Sequence, residues 1–189
     1  MIGDGHLGIW GALTAIFPEA QQQRCWNHRI VNVLDKLPKK EQNLGRELLK
    51  TIPYSATREQ ATRRKKEFQT WCAKRGQEEA GKLLDHDWDR MLTFYHFPKE
   101  HWKHLRTTNV VESPFAVVRL RTSAAKRYKK VANATAVLWK TLLVAEQSFR
   151  KLDSPELLAE VAEGTNYVNG LRQKKGRIKV PARSCLPTH

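Results

Sequence analysis

Leu7, Trp10, Leu13 and Phe17 recur at helical spacing, which predicts an amphipathic helix over about 7–17, ended by Pro18. Ahead of it, Met1-Ile2-Gly3-Asp4-Gly5 reads as the end of an extended segment. Residues 21–26 read as a short strand, although the run Gln21-Gln22-Gln23 carries little β-propensity. From His28 onward the pattern is helical almost throughout, with segments expected at 28–36, 39–52, 56–75, 77–95, 110–123, 132–151 and 155–163. Pro38, Pro53 and Pro98 fall between segments, Ser55 is placed as a cap, and Ser154-Pro155 supplies a cap plus a first-turn proline. Thr57 to Arg75 is dominated by charge, with Arg63-Arg64-Lys65-Lys66 in the middle and Phe68 and Trp71 as apolar anchors, the pattern of a solvated face. After about Gly164 the periodicity dissolves into Lys174-Lys175-Gly176-Arg177 and a proline-containing end, read as a flexible basic tail. There is no internal repeat and no clear linker.

A lone short strand leaves its backbone groups unpaired, so 21–26 needs partner strands, and the chain offers no obvious ones. The expected fold is therefore mainly α, with either no strand or the remnant of a sheet.

Composition narrows the class. Hydrophobic residues make up 40% and charged residues 28%, as in soluble globular proteins. No apolar run approaches the ~20 residues of a membrane span and nothing resembles a signal peptide, so a cytoplasmic location is expected. Cys25, Cys72 and Cys185 are odd in number and irregular in spacing, which argues against a disulfide framework. Charge is the extreme: 34 Lys and Arg against 19 Asp and Glu give a net charge of +15 and a pI near 10.0, the footprint of a nucleic-acid binder. From Lys99 to Lys130 nine Lys or Arg accompany only two acids, Glu100 and Glu112. An isolated acid in a basic field suggests a metal ligand beside bound phosphates.

Three constellations could carry chemistry. Asp4-Gly5 lies at the end of an extended stub, where a carboxylate can hold Mg²⁺ with faces left open to water and phosphate; an ordinary turn or an N-cap would use the same residues. Arg106-Thr107-Thr108-Asn109-Val110-Val111-Glu112-Ser113 leads into a helix bearing Arg119 and Arg121. Asn109 and Glu112 have the spacing of a capping arrangement, while Arg119, seven residues beyond Glu112, shares its helical face. Arg24-Cys25-Trp26-Asn27-His28 contains half of a zinc site without a second pair, so buried packing or support of a neighbouring site is the stronger reading. Trp102 and Trp139 lie in basic helical regions, where core packing is the default.

Taken in order, Asp4-Gly5, then Gln23-Arg24-Cys25-x-x-His28, a long helical stretch, and His101-Trp102-x-His104-Leu105-Arg106-Thr107-Thr108-Asn109-x-x-Glu112-Ser113 resemble the Mutator-type transposases of bacterial insertion sequences. The resemblance spans about residues 2–150. It implies the C-terminal portion of an α/β ribonuclease H-like catalytic domain, with an Asp-Asp-Glu triad interrupted by a large all-helical insertion and most of the sheet missing. The implied parts are a core remnant over 1–30, the insertion over 31–104, helices completing the catalytic core over 105–163, and the basic tail over 164–189. Asp4 matches the second Asp and Glu112 the Glu, both as metal ligands; the first Asp is expected upstream of Met1. Cys25, His28 and Asn109 match supporting positions. Pro114 departs from the pattern, since it must sit in the first helical turn or cost a backbone hydrogen bond.

The implied reaction is phosphoryl transfer with two Mg²⁺ ions, or Mn²⁺, in which water and then a DNA 3′-hydroxyl attack in line. Arg119, Arg121, Lys126, Arg127, Lys129 and Lys130 would contact DNA phosphates, and a homo-oligomer near the nucleoid is expected. Without the first Asp, the chain alone is expected to be inactive. A second reading, from charge alone, is a sequence-independent DNA-binding fragment that interferes with a complete relative. RNA binding is disfavoured because no aromatic stacking platform is evident among the basic stretches.

Overall fold

The computed structural model describes residues 1–173, and the Lys174–Arg177 cluster and Cys185 lie outside them. The fold is mainly α. Its elements are β1 (Ile2–Gly3), α1 (Leu7–Ile16), β2 (Gln23–Arg24), α2 (Trp26–Leu34), α3 (Lys39–Thr51), α4 (Arg58–Ala73), α5 (Glu78–Lys82), α6 (Trp88–Met91), two 3₁₀ turns (Thr93–His96 and Lys99–His101), α7 (Trp102–Leu105), α8 (Asn109–Ala125), α9 (Val131–Glu146), α10 (Leu157–Ala162), β3 (Tyr167–Val168) and β4 (Leu171–Arg172).

The strand expected over 21–26 exists in shortened form, and its partner is the stub at the start of the chain. β1 and β2 pair in parallel, Ile2 opposite Gln23 and Gly3 opposite Arg24. The Gln23 N–H donates to the Met1 carbonyl at 2.7 Å and the Cys25 N–H to that of Gly3 at 2.8 Å. Two parallel strands joined through α1 form a βαβ unit, and among the described residues no third strand joins them. The low β-propensity of the glutamines misleads because Gln23 is chosen for its side-chain bonds. It is buried, its Nε2 donates to the Met91 carbonyl at 3.1 Å, and its Oε1 accepts the Phe94 N–H at 2.8 Å.

One hydrophobic core runs from Trp26 through Trp102. Trp102 receives Phe94 and Tyr95 edge-on, with centroids at 5.3 and 4.8 Å, and the polar tips are satisfied: Tyr95 Oη donates to the Ser55 carbonyl at 2.9 Å and Trp102 Nε1 to that of Phe97 at 3.0 Å. Phe68 is buried on the inner side of the charged helix α4. Thr57, rather than Ser55, caps that helix, accepting the Gln60 N–H.

The helix expected over 77–95 ends after Lys82, and Asp87, in a left-handed conformation (φ 59°), separates it from α6. Buried Arg29 secures the break from α2: its Nη2 donates to the His86 carbonyl at 3.0 Å and pairs with Asp87 Oδ2 at 3.1 Å, while Arg90 takes Oδ1. Residues 167–172, expected in the tail, are structured instead. β3 and β4 form a hairpin whose turn residues, Asn169 and Gly170, both have positive φ, the preference of a type I′ turn. It docks on the core: Asn169 Oδ1 accepts the Arg58 N–H at 2.8 Å, and a Cβ at Gly170 would lie 2.8 Å from the Trp102 ring.

Candidate active site

The two blocks that the sequence singles out meet. The Trp26 N–H donates to the Arg106 carbonyl at 2.9 Å. Asn27 Nδ2 donates to Asn109 Oδ1, also at 2.9 Å. Buried Cys25 accepts at its Sγ from the Thr108 N–H (3.3 Å), and the Thr108 hydroxyl lies 3.2 Å from the same sulfur, across 83 residues of chain. The thiol is therefore an acceptor that fixes the turn ahead of α8. The same hydroxyl lies 3.5 Å from His28 Nδ1 and hydrogen-bonds Glu112 Oε1. His28 Nδ1 is 3.9 Å from that oxygen, the His28 side chain being 42% and the Glu112 side chain 50% exposed.

Glu112 sits in the first turn of α8, but it does not close a cap. Thr108 is the N-cap residue, Asn109 spends its Oδ1 on Asn27, and the Glu112 carboxylate turns to the Thr108 side chain. Pro114 falls in the second turn, so the Val110 carbonyl loses its usual N–H partner while the helix continues to Ala125.

Asp4 follows β1 directly and is exposed. It is not the helix cap either: that is His6, whose Nδ1 accepts the Gly8 N–H at 3.2 Å. The Asp4 carboxylate accepts the His6 N–H at 3.0 Å. That bond first, then the fields of His28, Arg24 and His6, outweigh desolvation and hold its pKa below the ordinary 3.8. Arg24 is buried beside Asp4, and it makes Gly5 obligatory: at φ 96°, a Cβ there would fall 0.5 Å from Arg24 Nη1.

The donors fit Mg²⁺ in kind. They are exposed carboxylate oxygens, and Mg²⁺ is commonly held by one or two carboxylates plus waters and substrate phosphates rather than by an all-protein cage. Among the described residues no three His, Cys, Asp or Glu side chains converge as a ready-made metal cluster.

The cations expected to contact DNA lie further along. Arg119 and Arg121 are exposed on α8, Lys126 ends that helix, and Arg127, Lys129 and Lys130 lie exposed in the turn to α9. By helical periodicity Arg119 is on the side of Glu112, whereas Arg121 lies on the side of Pro114 and Val117. Thr108, Arg24, Asn27 and Arg106 carry no individual role that the sequence alone assigns. Thr108 and Arg106 stand inside the Arg106–Ser113 block, so the signal was present; their partners 80 or so residues away were not visible.

The chain belongs to the Mutator family of transposases: the family model described as "Transposase, Mutator family" matches residues 1–150. Its relatives include the transposase for insertion sequence element IST2 of Acidithiobacillus ferrooxidans, 37% identical over 187 residues that cover 98% of this chain and 60% of the relative. The transposase for IS6120 of Mycolicibacterium smegmatis is 38% identical over 169 residues, 89% of this chain and 52% of that protein. The chain thus spans little more than half the length of these relatives. Among the described residues no helix is long and apolar enough to cross a membrane.

Proposed function

We propose that this chain carries two of the metal-binding carboxylates of a DNA transposase, Asp4 and Glu112, on a ribonuclease H-like scaffold of which β1, α1 and β2 are part. The observation that carries the reading is the clasp between Cys25–His28 and Arg106–Glu112, which sets Glu112 beside His28 on the segment that follows β2, the strand paired with the one Asp4 ends. The parallel βαβ unit supports an α/β scaffold. Asp4 and Glu112 would take the cation, Mg²⁺ or Mn²⁺. Bound there, it supplies Lewis acidity for in-line displacement at a DNA phosphorus by water or a 3′-hydroxyl. The Thr108 hydroxyl and His28 Nδ1 hold Glu112 in place. Arg119, Lys126, Arg127, Lys129 and Lys130, none paired with an acid among the described residues, neutralise phosphates. Exposed Leu120, Val131 and Trp139 support assembly into a homo-oligomer.

Mn²⁺ binding by the 189-residue chain with duplex DNA, followed by electron paramagnetic resonance, tests the reading. Asp4→Asn and Glu112→Gln should each weaken it by about tenfold or more, in the range of losing a ligand or its support. Unchanged affinity in both variants would refute it. A second reading, a non-catalytic DNA-binding chain, rests on the same unpaired cations; it predicts duplex affinity falling with salt at a slope of about −0.9 per phosphate, with no response to Glu112→Gln.

A further inference from the structure

Behind α8, on the side away from Glu112, lies a cleft of about 680 Å³ that the proposed chemistry does not use. Four of its lining residues are basic (Lys103, His104, Arg106 and Arg150), and among the described residues no Asp or Glu lines it. Lys103 and His104 are answered by Asp153, which lies outside the lining. Arg106 and Arg150 have no carboxylate partner among the described residues. Arg106 is also held stiffly, its Cζ lying 4.7 Å from the Tyr54 ring centre, 5.2 Å from that of Phe94 and 5.5 Å from that of Trp102. Its buried Nε has no hydrogen-bond partner among the described residues.

Two aromatic rings are exposed in the same cleft, Tyr54 with Arg106 over one of its faces. Tyr54 is 70% exposed and Phe149 48% exposed, and both line it. A second cavity of about 250 Å³ shares Tyr54, Lys103 and Arg106, so the groove continues past the guanidinium. Unpaired cations call for an anion, and a guanidinium fork matches phosphate. Exposed aromatic rings call for a flat apolar partner, which a free phosphate lacks. Phosphate and a planar ring together are a nucleotide, and the volume falls within the ~300–1,000 Å³ of ordinary ligand sites. A duplex keeps its bases stacked and paired inside and cannot offer one to a concave site. The cleft also touches Thr107 and Asn109, the two chain neighbours of the residue that holds Glu112.

We propose that this cleft binds an unpaired nucleotide of a DNA strand, its base on Tyr54 and Phe149 and its phosphate at Arg106 and Arg150. The inference rests on the transposase reading for the identity of the nucleic acid. It also supplies the stacking surface that no basic stretch displays in the sequence, because Tyr54 and Arg106 come together only in the fold.

The test is fluorescence anisotropy with the 189-residue chain and four labelled probes: single-stranded oligothymidine, the same strand with abasic sites, oligouridine, and a duplex. Tyr54 and Arg150 are exposed, so Tyr54→Ala and Arg150→Gln should fold, which circular dichroism verifies. Tyr54→Ala should weaken oligothymidine binding by about tenfold, or about 1.4 kcal/mol, and leave the abasic strand and the duplex within about twofold. Arg150→Gln should weaken both single strands and spare the duplex. The proposal is overturned if wild-type protein binds the abasic strand as tightly as oligothymidine, if Tyr54→Ala has no effect, or if both variants weaken the duplex equally. Preference for oligouridine would overturn it in favour of RNA. Failure of the wild-type chain to bind duplex counts against the transposase reading instead, and leaves the cleft standing if oligothymidine still binds and responds to Tyr54→Ala.

Discussion

Replacing Thr108 by Val keeps the shape of the side chain and the N–H that donates to Cys25 Sγ at 3.3 Å, and removes only the hydroxyl. That hydroxyl reaches Cys25 Sγ, His28 Nδ1 and Glu112 Oε1, but with one proton it donates to one acceptor at a time. The charged carboxylate is the stronger acceptor. A hydrogen bond to a charged group is worth about 1.5–3 kcal/mol. Because the Glu112 side chain is 50% exposed, water replaces part of it, leaving a stability loss of about 1 kcal/mol by urea denaturation. The functional loss should be larger than that suggests: groups that orient a metal ligand typically change affinity by about 10–100-fold, so Mn²⁺ affinity should fall by about tenfold. If it stays within about twofold while the protein remains folded, the hydroxyl does not orient Glu112. If instead stability falls by about 3 kcal/mol or more, Thr108 is a strut of the core, and the loss needs no metal to explain it.

Gly5→Ala forces a Cβ into the Arg24 guanidinium at a φ of 96°, so it should destabilise by about 1–3 kcal/mol in urea and displace Arg24 from Asp4. A change of under about 0.5 kcal/mol would show that Arg24 is free to leave. Burial of Cys72 raises its thiol from 9.0 to about 11. The unfolded chain therefore releases this proton first as pH rises, and the stabilisation, complete below 9.0, should be lost between 9.0 and about 11. Comparing unfolding free energies of wild-type protein and Cys72→Ala across that interval isolates the effect, and parallel curves would refute it.

The helices were legible because their signals are local: Pro38, Pro53 and Pro98 separate segments whose apolar periodicity is long enough to read. The candidate site was legible as an order of residues along the chain, which brought Asp4, Cys25, His28, Asn109 and Glu112 into one list. What the sequence hid is long-range bonding. The break at Asp87 is stabilised by Arg29 from another helix, and nothing near Asp85-His86-Asp87 announces a left-handed residue. β1 was read as a stub because two residues carry no period, and its partner was doubted because Gln23 looks like a surface residue until the Met91 and Phe94 backbone groups it satisfies are in view. Asn169-Gly170 was a readable turn signal, obscured by strands only two residues long and by the basic run that follows.

The hydrogen bond from the Trp26 N–H to the Arg106 carbonyl closes the intervening chain into a ring. Everything from α2 to α7 departs and returns through that neck, and Met91 and Phe94 within this stretch also bond Gln23. The length of the stretch is therefore not a variable of the carboxylate geometry. Lengthening such a closed excursion is cheap in chain entropy, about 0.6 kcal/mol for each doubling. Segments inserted in its outer turns leave the spacing of His28 and Glu112 untouched, whereas one extra peptide at the neck would move both. The outer turns are free to diversify and the neck is not.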